Sequence, residues 1–275
     1  MRVMTETPPV VVVTGAAQGI GLATARLLAE RGVRVGVLDL PRARARDAAA
    51  QLDATSPVSG GHEFADVDVC DEDAVESAFA SLADRHGVLA GLVNGAGILV
   101  KSPAERVDLG EWRRQLDVHL TGAMLCSRAA YPALVAGSGA IVNIASVGST
   151  FGLPGRLAYA TAKAGVLGLT RTLATEWGPR GVRVNAVAPG YIATEMVRAG
   201  LRTGALDESV LVGRTPLRRL GEPEEIASVI AFLLSTDASF VNGAVLDADG
   251  GITVDGSFNA VDDQVSASTS TLART

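Results

Sequence analysis

Tyr159 and Lys163 stand four residues apart in the stretch Ala158-Tyr159-Ala160-Thr161-Ala162-Lys163. On a helix that spacing puts both side chains on one face, about one turn apart. A free tyrosine keeps its proton to about pH 10, and a cation nearby favours the phenolate. The pair is therefore suited to giving or taking a proton near neutral pH. Upstream, Ser146 closes an apolar run, Ala140-Ile141-Val142-Asn143-Ile144-Ala145, that reads as a strand. A hydroxyl at the end of a strand in a parallel sheet can be aimed at a substrate oxygen. Four-residue spacings are also common on ordinary helix surfaces. The elements around these residues must decide between chemistry and a plain surface pair.

Val10-Val11-Val12-Val13 is a β-branched run without polar alternation, the pattern of a strand buried on both faces. It leads into Thr14-Gly15-Ala16-Ala17-Gln18-Gly19-Ile20-Gly21. A helical pattern follows through Leu22, Ala25, Leu28 and Ala29, closed by Gly32, and then a second apolar strand over 33–38 that ends at Asp39. Strand, glycine turn, helix, strand and acid in this order make a dinucleotide-binding unit. Gly15 permits the tight turn, Gly19 lets the backbone approach a pyrophosphate, and Gly21 lets the helix sit close to the strand. The helix N-terminus supplies amides and a partial positive charge. Asp39 is placed to accept hydrogen bonds from an adenosine ribose. A carboxylate there repels a 2′-phosphate, and Gln18 brings no compensating charge, so NAD is favoured over NADP. Arg42, Arg44 and Arg46 weaken this slightly, but fit better as the solvated face of the next helix.

The spacing predicts that helix over 41–52, a third strand within 62–69 with Asp68 and Val69 near its end, and a helix capped by Asp71. A fourth strand over 89–93 runs into Asn94-Gly95-Ala96-Gly97, a turn small enough for backbone to lie against a ligand. Residues 111–135 carry a helical pattern interrupted by two breaker pairs, Thr121-Gly122 and Tyr131-Pro132. A fifth strand over 139–145, a helix over 157–177 and a sixth strand over 182–188 follow, the last broken by Pro189-Gly190. Residues 191–219 are irregular and read as a lid or binding region. A helix over 222–234 with Pro223 in its first turn and a last strand over 244–246 complete the domain. About seven strands alternating with helices predict an α/β fold, a doubly wound parallel sheet with helices on both faces. One catalytic domain is expected over 1–256, with the lid at about 190–219. A polar, Ser/Thr-rich C-terminal tail is expected over 257–275.

Composition agrees. The 275 residues are 48% hydrophobic but only 4% aromatic, with 31 glycines, which suits helices and buried strands better than an all-β sandwich. The net charge of −6 and the lack of a basic stripe argue against nucleic acid or an anionic membrane as partner. Cys70 and Cys126, and His62, His86 and His119, have no metal-ligand spacing, so no metal is expected. There is no signal-like apolar segment and no run near the ~20 apolar residues of a membrane span. A cytoplasmic protein is the expectation.

Together these stretches resemble the short-chain dehydrogenase/reductase family in its single-domain, non-extended form, over roughly residues 8–252. Thr14-Gly-x3-Gly19-x-Gly21, Asn94-Gly-Ala-Gly97, Ser146, Tyr159-x3-Lys163 and Pro189-Gly190 carry the resemblance. It implies a Rossmann fold and an NAD-dependent oxidoreductase that moves a hydride between a secondary alcohol (polyol, sugar-like or cyclic) and its ketone. Tyr159 would be the general acid/base. Lys163 would lower its pKa and hold the nicotinamide ribose, and Ser146 would donate a hydrogen bond to the substrate oxygen. The loop from Gly15 to Gly21, with Gln18, Gly19 and Ile20, would hold the pyrophosphate. Asp68 and Val69 would meet the adenine, Asn94, Gly95 and Ala96 the body of the cofactor, and Pro189, Gly190, Ile192 and Thr194 the nicotinamide side. The resemblance also implies a homotetramer through the helices of 111–135 and 157–177.

Two positions depart from the family pattern. Gly95 stands where asparagine is usual, and His119 stands where the family has a further asparagine whose main-chain carbonyl holds a water linked to the lysine. The imidazole either alters that relay or fills space at a kink. Two other functions compete: an NADPH-dependent ketone or 3-oxoacyl reductase, opposed by Asp39, and a non-catalytic NAD sensor or scaffold, opposed by the intact Ser146, Tyr159 and Lys163. Val147, Phe151, Leu153, Arg156, Tyr191, Met196 and Val197 are expected to line the substrate site. Arg156 reads best as an exposed loop arginine, and these residues select no one substrate.

Overall fold

The computed structural model describes residues 8–41 and 44–256. The tail expected over 257–275 lies outside the described residues. Seven strands form one sheet, all pairs parallel, in the order β3-β2-β1-β4-β5-β6-β7. They are β1 (Val10–Thr14), β2 (Arg34–Asp39), β3 (Glu63–Asp66), β4 (Gly91–Asn94), β5 (Ala140–Ile144), β6 (Arg183–Pro189) and β7 (Val245–Ala248). The valine run of β1 serves both faces. Val11 and Val13 pack with Leu28 and Ala29 of α1 (Gly19–Glu30) and Ile226 and Ile230 of α9 (Pro223–Leu234). Val10 and Val12 pack on the other side with Phe79 and Leu82 of α3 (Glu72–His86) and Leu125 and Leu134 of α5 (Gly122–Gly137). Strand period two makes this division, and burying each such side chain contributes about 1.5–3 kcal/mol. Because β1 and β4 are neighbours while the chain leaves β1 toward β2, the strand order reverses between them. That crevice, at the carboxyl ends of the strands, is where open α/β sheets bind ligands.

The α2 helix (Ala45–Asp53) is shorter than expected, because Arg44 lies in the left-handed region at φ 63° and no helix passes through it. Larger differences fall at the breakers. Residues 109–137 stay helical throughout, as α4 (Leu109–Leu116), one π turn (Asp117–Thr121) and α5. Gly122 is there for closeness rather than as a break: a Cβ on it would lie 2.7 Å from Val69 Cγ2. Pro132 sits inside α5, whose buried Ala130, Ala133 and Leu134 hold the helix past the missing amide. The irregular stretch of 191–219 contains two short helices, α7 (Glu195–Arg202) and α8 (Glu208–Gly213). Thr194 caps the first by accepting from Val197 N at 3.4 Å, and Asp207 caps the second by accepting from Ser209 N at 2.9 Å. The long helix α6 (Leu157–Trp177) runs over the predicted 21 residues.

Candidate active site

The carboxyl ends of the strands open into a cleft of about 770 Å³, within the range of small-molecule sites. One wall is the loop after β1. Gly15 has φ +67°, and a Cβ on it would meet the Gly95 carbonyl oxygen at 2.8 Å. On Gly21 a Cβ would fall 2.1 Å from the Gly15 oxygen, so no side chain fits there. Gly19, at φ +55°, faces Thr194, whose Cγ2 a Cβ would meet at 3.5 Å. A side chain at Gly19 would thus fill the strip between this loop and the segment after β6. Asp39 braces the loop from below: Ala17 N donates to its Oδ2 at 2.9 Å and Leu40 N to its Oδ1 at 2.8 Å. Thr14 has a role the sequence did not reveal. Its Oγ1 accepts from Gly95 N at 3.1 Å and Ala96 N at 3.2 Å, fastening the second turn to the first.

Gln18, Ile20, Asp68, Val69, Gly95, Ala96, Pro189, Gly190, Ile192 and Thr194 all line the cleft, with the three loop glycines and Asp39. Asn94 does not. Its Nδ2 donates inward to Ser127 Oγ at 3.0 Å and Asn143 Oδ1 at 2.8 Å, and Asn143 Nδ2 donates to Thr170 Oγ1 at 2.9 Å. This buried polar chain ties β4, α5, β5 and α6 together behind the cleft wall. Asn94 thus supports the turn from behind, and the wall itself belongs to Gly95 and Ala96. Phe151 is also absent from the wall, whereas Arg156, expected on an exposed loop, is half-buried on it. Ile98, Leu99, Arg113, Arg114 and Asp117 line it without a sequence signal.

Ser146, Tyr159 and Lys163 converge in the same cleft. Ser146 leaves β5 in extended backbone, and its Oγ accepts from Gly148 N at 3.0 Å and is hydrogen-bonded to the Tyr159 side chain. Lys163 is buried, and its Nζ donates to the Ile144 carbonyl and lies 5.9 Å from the Tyr159 ring centroid. Burial brings its pKa down to about 8. Burial also holds the Tyr159 hydroxyl above its ordinary value, partly offset by the Ser146 hydrogen bond and by the charge of Arg156. The expected lowering by Lys163 is therefore not what the side chains do on their own. The ammonium is turned toward a strand carbonyl, and the cation acting on the phenol is Arg156.

His119 lies in the π turn, 4% exposed. Its Nε2 is 2.6 Å from the Ile98 carbonyl oxygen and 3.2 Å from the Ile98 amide. The shorter contact places the ring proton on Nε2 as donor, since a single nitrogen cannot serve both groups. Nδ1 is then buried without a partner among the described residues. The ring stands edge-on to Tyr159, with centroids 5.2 Å apart and planes at 88°. Burial, then the charge of Lys163, pushes its pKa down to about 3, so the imidazole is neutral at neutral pH. Among the described residues no group of three or more His, Cys, Asp or Glu side chains is placed to hold a metal ion. No helix among them is long and apolar enough to cross a membrane.

A parallel sheet with a dinucleotide cleft and a Ser-Tyr-Lys cluster facing it defines a nicotinamide-dependent oxidoreductase. The family model described as Enoyl-(Acyl carrier protein) reductase matches residues 15–253. Cis-4-hydroxycyclohexanecarboxylate dehydrogenase of Sinomonas cyclohexanicum is 46% identical over 248 residues, covering 89% of this chain and 96% of that protein. D-threitol dehydrogenase of Mycolicibacterium smegmatis is 40% identical over 249 residues, 89% of this chain and 93% of that protein. The crystal structure of levodione reductase superposes with a TM-score of 0.84 at 34% identity, covering 90% of this chain and 98% of that one. The chain belongs to the short-chain dehydrogenase/reductase family and acts on a CH–OH group or the corresponding ketone.

Proposed function

We propose that the chain is an NAD-dependent dehydrogenase of a compact cyclic or polyol secondary alcohol, built as one catalytic domain and working as a cytoplasmic homotetramer. The observation that carries the reading is the meeting of Ser146, Tyr159 and Lys163 in the cleft whose other wall is the Gly15–Gly21 loop and Asp39. The strip at Gly19 that a side chain would fill fits a dinucleotide backbone there. The α1 N-terminus with Gly19 and Ile20 would face the pyrophosphate, Asp39 the adenosine ribose, and Asp68 and Val69 the adenine. Gly95 and Ala96 would border the cofactor, and Pro189, Gly190, Ile192 and Thr194 the nicotinamide side. Bound there, NAD supplies the hydride acceptor. Asp39 is held rigid by two amides, and its charge weighs against a 2′-phosphate. The relatives named for cyclic and open-chain polyhydric alcohols support the substrate class.

The chain's own residues do the proton work. In oxidation Tyr159 takes the hydroxyl proton while Ser146 holds the substrate oxygen by a hydrogen bond. Lys163 sits beneath them as a buried cation. His119 is a neutral wall against which the Tyr159 ring rests. Because burial favours the protonated phenol, oxidation should speed up with rising pH and ketone reduction with falling pH. A screen of NADH formation over cyclic alcohols, polyols and hydroxy acids tests the reading. Tyr159→Phe should lower turnover by about 100- to 10,000-fold while NAD binding, followed by calorimetry, persists. Full activity in that variant would refute the mechanism, and a clear preference for NADPH would refute the cofactor.

A further inference from the structure

We infer that Arg156 is the receptor for a carboxylate on the substrate, so that the enzyme acts on hydroxy acids whose ring or chain carries the acid at a distance from the reacting carbinol. The inference deepens the dehydrogenase reading and rests on it. Arg156 precedes α6 by one residue and Tyr159 by three, and both side chains line the cleft. It lines the cleft, half-buried, and its charge reaches the Tyr159 hydroxyl. Among the described residues its guanidinium forms no ion pair or side-chain hydrogen bond. The acids on the cleft wall already have donors of their own: Asp39 has Ala17 N and Leu40 N, Asp68 has Cys70 N, Asp117 has Thr121 Oγ1, and Glu195 has Arg202. Outside the cleft the charge of Arg156 acts on exposed Lys101, whose pKa is lowered first by burial and then by Arg156.

The segment carrying Arg156 is fixed by its backbone neighbours. Ser102 N donates to Gly155 O at 2.9 Å, and Gln115 holds Val100 through both its amide nitrogen and its oxygen. A half-buried guanidinium with no anionic partner on the cleft wall gains one when a carboxylate enters the site. Val147, Leu153, Met196 and Val197 give the rest of this end an apolar wall, suited to a hydrocarbon frame between carbinol and carboxylate. A guanidinium binds a carboxylate through two parallel hydrogen bonds.

The test compares 4-hydroxycyclohexanecarboxylate with its methyl ester, in wild type, Arg156→Gln and Arg156→Lys. Wild type should favour the acid in kcat/KM by about 10- to 100-fold, the worth of a charged hydrogen-bonded contact. The acid-to-ester ratio should collapse toward one in Arg156→Gln and be partly kept in Arg156→Lys. Using the ratio cancels any effect of Arg156 on Tyr159 that both substrates share. A ratio near one in wild type, or one unchanged by Arg156→Gln, overturns the inference. Binding of cyclohexanecarboxylate, which has no hydroxyl to oxidise, is measured in parallel by calorimetry on the NAD-loaded protein. Carboxylate binding that depends on Arg156, with no oxidation of either alcohol, would sink the dehydrogenase reading and leave the anion site standing. No binding to wild type would sink the anion site.

Discussion

Gly97 and His119 occupy one space. A Cβ on Gly97 would lie 2.6 Å from His119 Cε1, and the histidine in turn stands edge-on to Tyr159. Gly97→Ala should therefore displace the imidazole, then the tyrosine, and lower kcat by roughly 10- to 100-fold, the scale of a sub-ångström to 1 Å misplacement. His119→Asn should restore most of it in the double variant, and a double-mutant cycle on kcat reads the coupling. The same histidine has a signature in stability. Its folded-state pKa is about 3 against 6.5 in the unfolded chain. Between those values the unfolded state binds the extra proton, so this contribution is complete above pH 6.5 and is lost as pH falls toward 3. Urea unfolding at pH 7 and pH 5 should show wild type losing up to about 1.4 kcal/mol per pH unit more than His119→Asn. Lys163 is lowered to about 8 in the same way, by burial alone. Keeping it charged at neutral pH costs stability. Lys163→Met should raise unfolding free energy by about 1–2 kcal/mol, less than the desolvation term because the Ile144 carbonyl loses its donor, while abolishing turnover.

Elements whose signals are local could be read from the sequence, and elements shaped by distant contacts could not. The β1–α1–β2 unit, α6 and α9 were legible because periodicity, glycine turns and caps lie within a few residues of one another. At the start of α9, Glu222 and Glu225 form a reciprocal capping box, and Arg219 holds the Glu225 carboxylate with both guanidinium nitrogens. Glu225→Ala should lower unfolding free energy by about 1 kcal/mol, measured by chemical denaturation. The π turn, the Gly122 contact with Val69 and the passage of α5 through Pro132 depend on partners distant in sequence, and a breaker residue looks the same whether it breaks a helix or lets two backbones touch. Likewise the Tyr-x3-Lys spacing located a pair that faces the cleft, but could not tell that Lys163 reaches a β5 carbonyl. Nor could the asparagine of the second glycine turn be seen to face Ser127 and Asn143 rather than the cofactor. Arg156 was named among the lining but read as an exposed loop arginine for the same reason: its half-burial goes with the pairing of distant Ser102 to Gly155 and Arg156.

At the scale of the whole molecule, α6 would connect the proposed assembly to the proposed chemistry. One face carries Tyr159 and Lys163 into the cleft. The opposite face presents Thr161, Ala164, Gly168, Thr172 and Thr175 to solvent at helical spacing, a flat strip of small side chains. A Cβ on Gly168 would meet nothing within 4 Å, so the glycine is not required by the chain's own fold. Small residues let two helices approach at the near end of the usual 8–10 Å, which suits the homotetramer proposed above. Gly168→Arg fits the isolated subunit without a clash but would hold two such faces apart. Sedimentation velocity should give wild type the mass of four chains, and the variant that of two or one with an unchanged far-UV spectrum. With its outer face unsupported, α6 should hold Tyr159 less firmly, and kcat should drop several-fold while cofactor binding, proposed above at the distant Gly15–Gly21 loop, stays close to wild type. Wild type sedimenting as a single chain would refute the assembly. A monomeric Gly168→Arg protein with full kcat would separate assembly from catalysis and show that the sheet alone fixes the tyrosine.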